Sequence, residues 1–194
     1  MPQPGNGLDK TAGFFIMLAA IELVSYVLLA QHLYPGYSLN NNYISDLGVG
    51  STSTIFNPAI IVFGLLLASG SYFMWKAGKH RLAALGFLII GLGGMGVGTF
   101  PETTGWPHIL SALVTFGAVG VTAAGFSLIL KSRLRYYSLA AGIFALLILF
   151  IFSSGLIGIK LNFGLGKGGI EEILFYDELI WAFIIGISFI KGRI

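Results

Sequence analysis

Long apolar runs alternate with short polar breaks along the chain. Six runs stand out, at residues 13–31, 55–75, 82–100, 108–130, 136–158 and 170–190. Each is close to the roughly 20 residues that a helix needs to cross a hydrocarbon core about 30 Å thick. None alternates with period two, which excludes the strands of a membrane barrel. The breaks carry turn chemistry, such as Pro35-Gly36 and Gly105 before Pro107. The pattern predicts an all-α fold, an integral membrane bundle of six transmembrane helices. It is expected to be a single domain over residues 1–194, with one long loop at about 32–54. The first run is too long for a signal-peptide core and lacks a clear A-x-A site, so a mature helix is expected there.

Composition agrees. The chain is 56% hydrophobic and 10% charged, against about 25% charged residues in a soluble domain. Cysteine is absent, which excludes disulfides, thiolate catalysis, cysteine-ligated iron–sulfur clusters and thioether-attached haem. The basic residues are not gathered on one soluble face, so nucleic acid is not an expected partner.

Their placement sets an orientation. Lys10, then Lys76, Lys79 and Arg81, then Lys131, Arg133 and Arg135, then Lys191 and Arg193 all fall on one side of the six crossings. Only Lys160 and Lys167 fall on the other. The positive-inside rule predicts both termini in the cytoplasm, in a multi-pass protein of the cell membrane. The expected outer side then holds His32, Asp46, Glu102, His108, Glu171 and Glu172, whereas His80 lies in a cytoplasmic connection.

The long outer loop reads YPGYSLNNNYISDLGVG over residues 34–50. From Ser38 it predicts about two turns of helix, with Ser38 as N-cap and Gly48 as the stop. Leu39, Tyr43 and Leu47 would share one face, with Ile44 beside it. Two readings follow: an interfacial helix lying in the headgroup layer, or a lid over a pocket with Asn and Asp side chains pointing into it.

Several motifs in combination carry a family resemblance. They are YPGYS followed by NNYISDLG, then IFN at residues 55–57, GTFPE with His108 after a short gap, and GGIEEILFY with Trp181. Together they resemble the bacterial and archaeal membrane family known as domain of unknown function 998. The resemblance implies a six-helix bundle and no agreed biochemical activity. In that family the last helix opens with Glu-Arg; here it opens with Glu171-Glu172, so the basic partner of a family-wide ion pair is missing.

Asn57 and Pro58, like Pro107, read as helix starts. Glu171 and Glu172 read as first-turn acids, where a helix dipole favours negative charge by about 0.3–1 kcal/mol. The alternative is an outer polar site formed by Tyr37, Asp46, Asn57, Glu102, His108 and Glu171. Within the spans, Glu22 lies near the middle of the first, and Asp177 and Glu178 lie roughly 10 Å below the outer end of the last. Intramembrane acids cost on the order of 3 kcal/mol and mark candidate functional positions. Glu171 and Glu178 are seven apart and share a helix face, which permits a carboxylate ladder. The GLGGMGVG run at 91–98, with Gly117, Gly120 and Gly125, suits close helix packing or room for a flat ligand.

Four functional classes remain. Haem b between the first and fourth spans would take His32 and His108 as axial ligands and serve electron transfer. Each histidine's other ring nitrogen would then be tied to a carboxylate, carbonyl or water, Glu102 being one candidate for His108. A zinc-dependent hydrolase would use His32, His108 and a carboxylate from Asp46, Glu102 or Glu171, although HExxH, HxxxH and GxSxG are all absent. A transporter would line its path with Glu22, Asp177 and Glu178; no internal repeat supports it. The last class is a structural or lipid-binding bundle among membrane lipids, as a homo-oligomer or a subunit of a larger membrane complex. Whether the protein is an enzyme stays open at this level.

Because the chain lacks cysteine, single-cysteine variants report topology directly. A cysteine replacing Asn41 is expected to react with an impermeant thiol reagent in intact cells. One replacing Lys79 is expected to react only after lysis. The reverse pattern would invert the orientation.

Overall fold

The computed structural model describes residues 6–130, 132–155 and 164–194, with Asn6 and Lys167 described by backbone alone. Lys131, Lys160, the predicted end of the fifth span at 158 and the side chain of Lys167 lie outside the described residues. The described chain forms six long helices: α1 Asn6–Leu33, α2 Ser53–Ala77, α3 Arg81–Thr99, α4 Trp106–Ile129, α5 Leu134–Ser154 and α6 Gly166–Ile190. No strand occurs among the described residues. All six helices are long and apolar enough to cross a membrane. The start of α1 and the end of α6 lie together at one end of the bundle, called the terminal end below. The opposite end carries the loop between α1 and α2 and is called the lid end below.

The helix limits correct two local readings. Helix α2 starts at Ser53, so Asn57 lies inside it rather than at its cap, and Pro58 follows within the helix. Helix α6 starts at Gly166, which carries Glu171 and Glu172 beyond the first turn, where the dipole effect has faded. Pro107 does sit in the first turn of α4. Helix α2 stops at Gly78, whose left-handed backbone (φ 79°) suits a residue without Cβ.

The helices form a closed ring in chain order: α1 packs on α2, α2 on α3, α3 on α4 and α4 on α5, with α6 closing against α1 and α5. Three of these pairs meet glycine to glycine. A Cβ on Gly13 in α1 would lie 2.6 Å from the Gly186 carbonyl of α6. One on Gly91 in α3 would lie 2.6 Å from the Gly64 carbonyl of α2, and one on Gly142 in α5 would lie 2.7 Å from the Gly120 carbonyl of α4. In hydrocarbon, helices gain little from burying apolar surface, and close backbone approach supplies the packing energy instead. Gly93 and Gly96 extend the pattern, fitting against Thr115 and Ser111 of α4. The glycine run at 91–98 thus serves helix packing rather than a flat ligand. Gly117 and Gly125 make no such approach.

Toward the terminal end, aromatic rings fill the centre. Phe87 stacks on Trp181 at 5.7 Å, and Phe126 meets Trp181 edge-on at 5.6 Å. The indole Nε1 of Trp181 donates to Ser138 Oγ (2.8 Å), which in turn donates to the Ala123 carbonyl (2.7 Å). This chain of two bonds ties α6 to α5 and α4 where no water is at hand.

Gly64→Ala is expected to destabilise the detergent-solubilised protein by about 1–3 kcal/mol, the usual cost of overpacking. Gly125→Ala, with nothing within 4 Å of its added Cβ, is expected to be neutral. Thermal unfolding of the two variants side by side checks the glycine contacts.

Candidate functional site

The loop at the lid end is not the two-turn helix that its sequence suggested. Asn41 and Asn42 close a turn by donating their backbone N–H groups to the Ser38 carbonyl. Two short 3-10 turns, Ser45–Gly48 and Gly50–Thr52, then lead directly into α2. The asparagine side chains explain the change, because they offer the backbone local partners that compete with a helix. Asn42 Oδ1 accepts the Ser38 N–H (3.2 Å) and Asn42 Nδ2 donates to Asp46 Oδ2 (2.9 Å). Ile44 and Leu47 are 3% and 0% exposed and point into the bundle, whereas Leu39 is exposed. The loop is therefore a lid and not an interfacial helix, but Ile44 and Ser45 reach the chamber beneath it, not the expected Asn and Asp side chains.

Bonds to three helices hold the lid down. Asn57 Nδ2 of α2 donates to the Gly48 carbonyl (3.0 Å). The Gly168 N–H of α6 donates to the Leu39 carbonyl (3.0 Å), and a Cβ at Gly168 would strike the Asn42 carbonyl. Glu172 of α6 accepts from Gln31 Nε2 of α1 (2.6 Å) and from the Tyr37 hydroxyl of the lid (3.0 Å). Burial, followed by the charge of Glu172, pushes the Tyr37 phenol above its ordinary value despite the opposing bond from Gln31, so it remains a donor. Two neutral donors, Gln31 and Tyr37, thus answer the Glu172 carboxyl.

Three further carboxyls meet under the lid, each from a different element. Glu171 of α6 is buried, and its Oε2 accepts the Ile44 N–H of the lid at 2.7 Å. Glu102, from the connection between α3 and α4, accepts from Ser45 Oγ at 3.2 Å and stands beside the Asp46 carboxyl. Asp46 Oδ2 also accepts the Tyr43 N–H at 3.2 Å. Two carboxyl groups bond to one another only by sharing a proton, since carboxylates have nothing to donate. Burial first, and then the Asp46 carboxyl, raise Glu102 above the ordinary carboxylate range.

His108 opens α4 and is buried. Its Nδ1 lies 2.8 Å from the Phe100 carbonyl. A carbonyl can only accept, so Nδ1 carries the hydrogen and a neutral ring keeps Nε2 as an acceptor. The expected partner, Glu102, is instead bonded to Ser45 and stands beside Asp46.

Below the lid the ring of helices encloses a chamber of about 60 Å³, enough for a few waters or a small molecule. Its wall is largely apolar. The exceptions are Ser45, His108, Thr115, Glu171 and Glu178. The predicted ladder on α6 thus faces one cavity, with Glu171 and Glu178 both on the wall. Glu22 and Asp177 are half-buried and stand apart from it.

His32 is exposed at the end of α1, which packs on α2 and α6, while α4 packs on α3 and α5. The two histidines share a depth but not a helix interface. Among the described residues no group of three His, Asp or Glu is arranged to hold a metal ion; the expected zinc set is not assembled. Ser45, Gln31 and Thr115 were not foreseen as site residues. Small polar residues at helix ends and in loops are too common for sequence alone to distinguish them.

The family model described as protein of unknown function (DUF998) matches residues 17–188. The chain belongs to this family, and it is a multi-pass membrane protein with six apolar helices. No curated protein and no solved structure matches it.

Because the folded-state value of Glu102 is raised, the bound proton favours the folded lid. That stability is complete below the ordinary carboxylate range and is lost as pH rises through the raised value. Glu102→Gln, a permanent neutral donor, is expected to match wild type in acid and to exceed it in thermal stability as pH rises. Equal pH profiles would exclude the shared proton. Glu171→Ala strands the Ile44 N–H and is expected to cost about 1–3 kcal/mol, whereas Glu171→Gln keeps an acceptor and most of the stability.

Proposed function

We propose that this DUF998 protein binds a small amphiphile drawn from the bilayer, enclosed in the chamber under the lid. The observation that carries the reading is an apolar chamber, covered by the lid, whose few polar wall groups are mostly hydrogen-bond acceptors. Ligand sites have this form: apolar walls fix a molecule's bulk, and a few convergent polar groups fix its orientation. Glu171, Glu178 and His108 Nε2 select a ligand that donates, such as a hydroxyl, amide or amine. The lid supports the same reading, because Ile44 and Ser45 of its irregular backbone line the cavity. The distribution of Lys and Arg supports a lid that faces away from the cytoplasm.

One feature favours a second reading, in which haem b serves electron transfer. His108 Nε2 is available at the chamber wall as an axial ligand. A porphyrin would need a second ligand other than His32 and a much wider chamber.

Both readings meet the same measurement. Wild-type protein purified in mild detergent is expected to be colourless and to release a defined small amphiphile on denaturation, detected by mass spectrometry. Ala112→Phe, which puts a ring into the chamber, is expected to lose that molecule and stay folded. A Soret band would transfer the site to haem. A colourless protein that releases nothing, in both forms, would overturn the binding function.

A further inference from the structure

Most polar groups beneath the lid answer one another, but Asn57 Oδ1 and one carboxyl in the chamber do not. Glu178 is 6% exposed, lines the cavity, and its Oε1 has no hydrogen-bond partner. It lies two turns along α6 from Glu171, roughly 10 Å deeper. Among the described residues no Lys or Arg lines the chamber. The aromatic side chains of Phe63, Phe87, Phe175 and Trp181 line it instead.

An unanswered carboxyl in an apolar enclosure is costly unless a donor or a cation reaches it. Ring faces carry negative electrostatic potential, so they hold cations and repel anions, most strongly where water is excluded. Asp46, Glu102 and Glu171 gather at the lid end of the bundle, and grouped charge of one sign beside low-dielectric walls concentrates cations.

We propose that the chamber takes lipophilic cations, small amines or ammonium ions on an apolar chain, with the charged nitrogen on Glu178 and among the surrounding rings. The chain would run back toward the lid, along the apolar wall between the two carboxyls. This assignment rests on the amphiphile-binding reading and names the ligand class for the same chamber.

A matched pair of probes separates the two ideas. Ethylamine, protonated at neutral pH, and ethanol are short enough for the chamber, have the same chain and differ in head charge. Calorimetric titration into protein in zwitterionic nanodiscs, corrected against empty nanodiscs, reads both affinities. The amine is expected to bind at least about tenfold more tightly than the alcohol. Glu178→Gln is expected to abolish that preference while alcohol binding persists, which also shows that the variant is folded. Phe63→Leu is expected to weaken the amine and spare the alcohol. Equal affinities in wild type, or a preference that survives in Glu178→Gln, would overturn the cation assignment and leave amphiphile binding intact. Binding of neither probe would overturn both.

Discussion

The arrangement at the lid end depends on one bond, from the Ile44 N–H to the buried Glu171 carboxyl. Irregular backbone next to hydrocarbon has no water to satisfy its donors, so each one needs a partner from the protein. A buried carboxyl has the opposite need and must be given donors. Pairing the two satisfies both. It also fixes the lid on α6 at the height where Ile44 and Leu47 drop into the bundle. The Asp46–Glu102 contact and the Gln31–Tyr37–Glu172 group extend the same exchange to the α3–α4 connection and to α1.

Glycine contacts decide what lies beneath. Close approach of α1 to α6, of α2 to α3 and of α4 to α5 draws the helices together in pairs. Closing those pairs into a ring leaves a centre that side chains must fill. Phe87, Phe126 and Trp181 fill it toward the terminal end. Beneath the lid they do not, and the chamber remains. The acids of α6 reach that space because positions 171, 175, 178 and 182 all lie on its wall, with the recurrence of one helix face. A binding chamber here is thus a product of packing rather than of any local motif.

The six spans were legible in the sequence because length and apolarity are all that a bilayer crossing demands. The long loop and the intramembrane acids were legible for the same reason: each departs visibly from an otherwise apolar chain. Local rules misled where tertiary partners outweighed them. Asn57 before Pro58 looked like a cap, yet the 3-10 turns start α2 earlier and leave Asn57 to hold Gly48. The run from Ser38 to Gly48 looked helical, yet the Asn42 side chain bonds Ser38 and Asp46 instead.

The limit is clearest at His32 and His108. Hydropathy places each residue along the membrane normal, and on that axis alone the two rings coincide. Position around the ring depends on which helices touch, and the glycines show that helices approach closely without naming the partner. Only the packed structure puts α1 between α2 and α6, and α4 between α3 and α5. Depth was therefore determined by the sequence, through the energetics of hydrocarbon burial. The company that each side chain keeps was decided by tertiary packing, because residues far apart in sequence supply its partners.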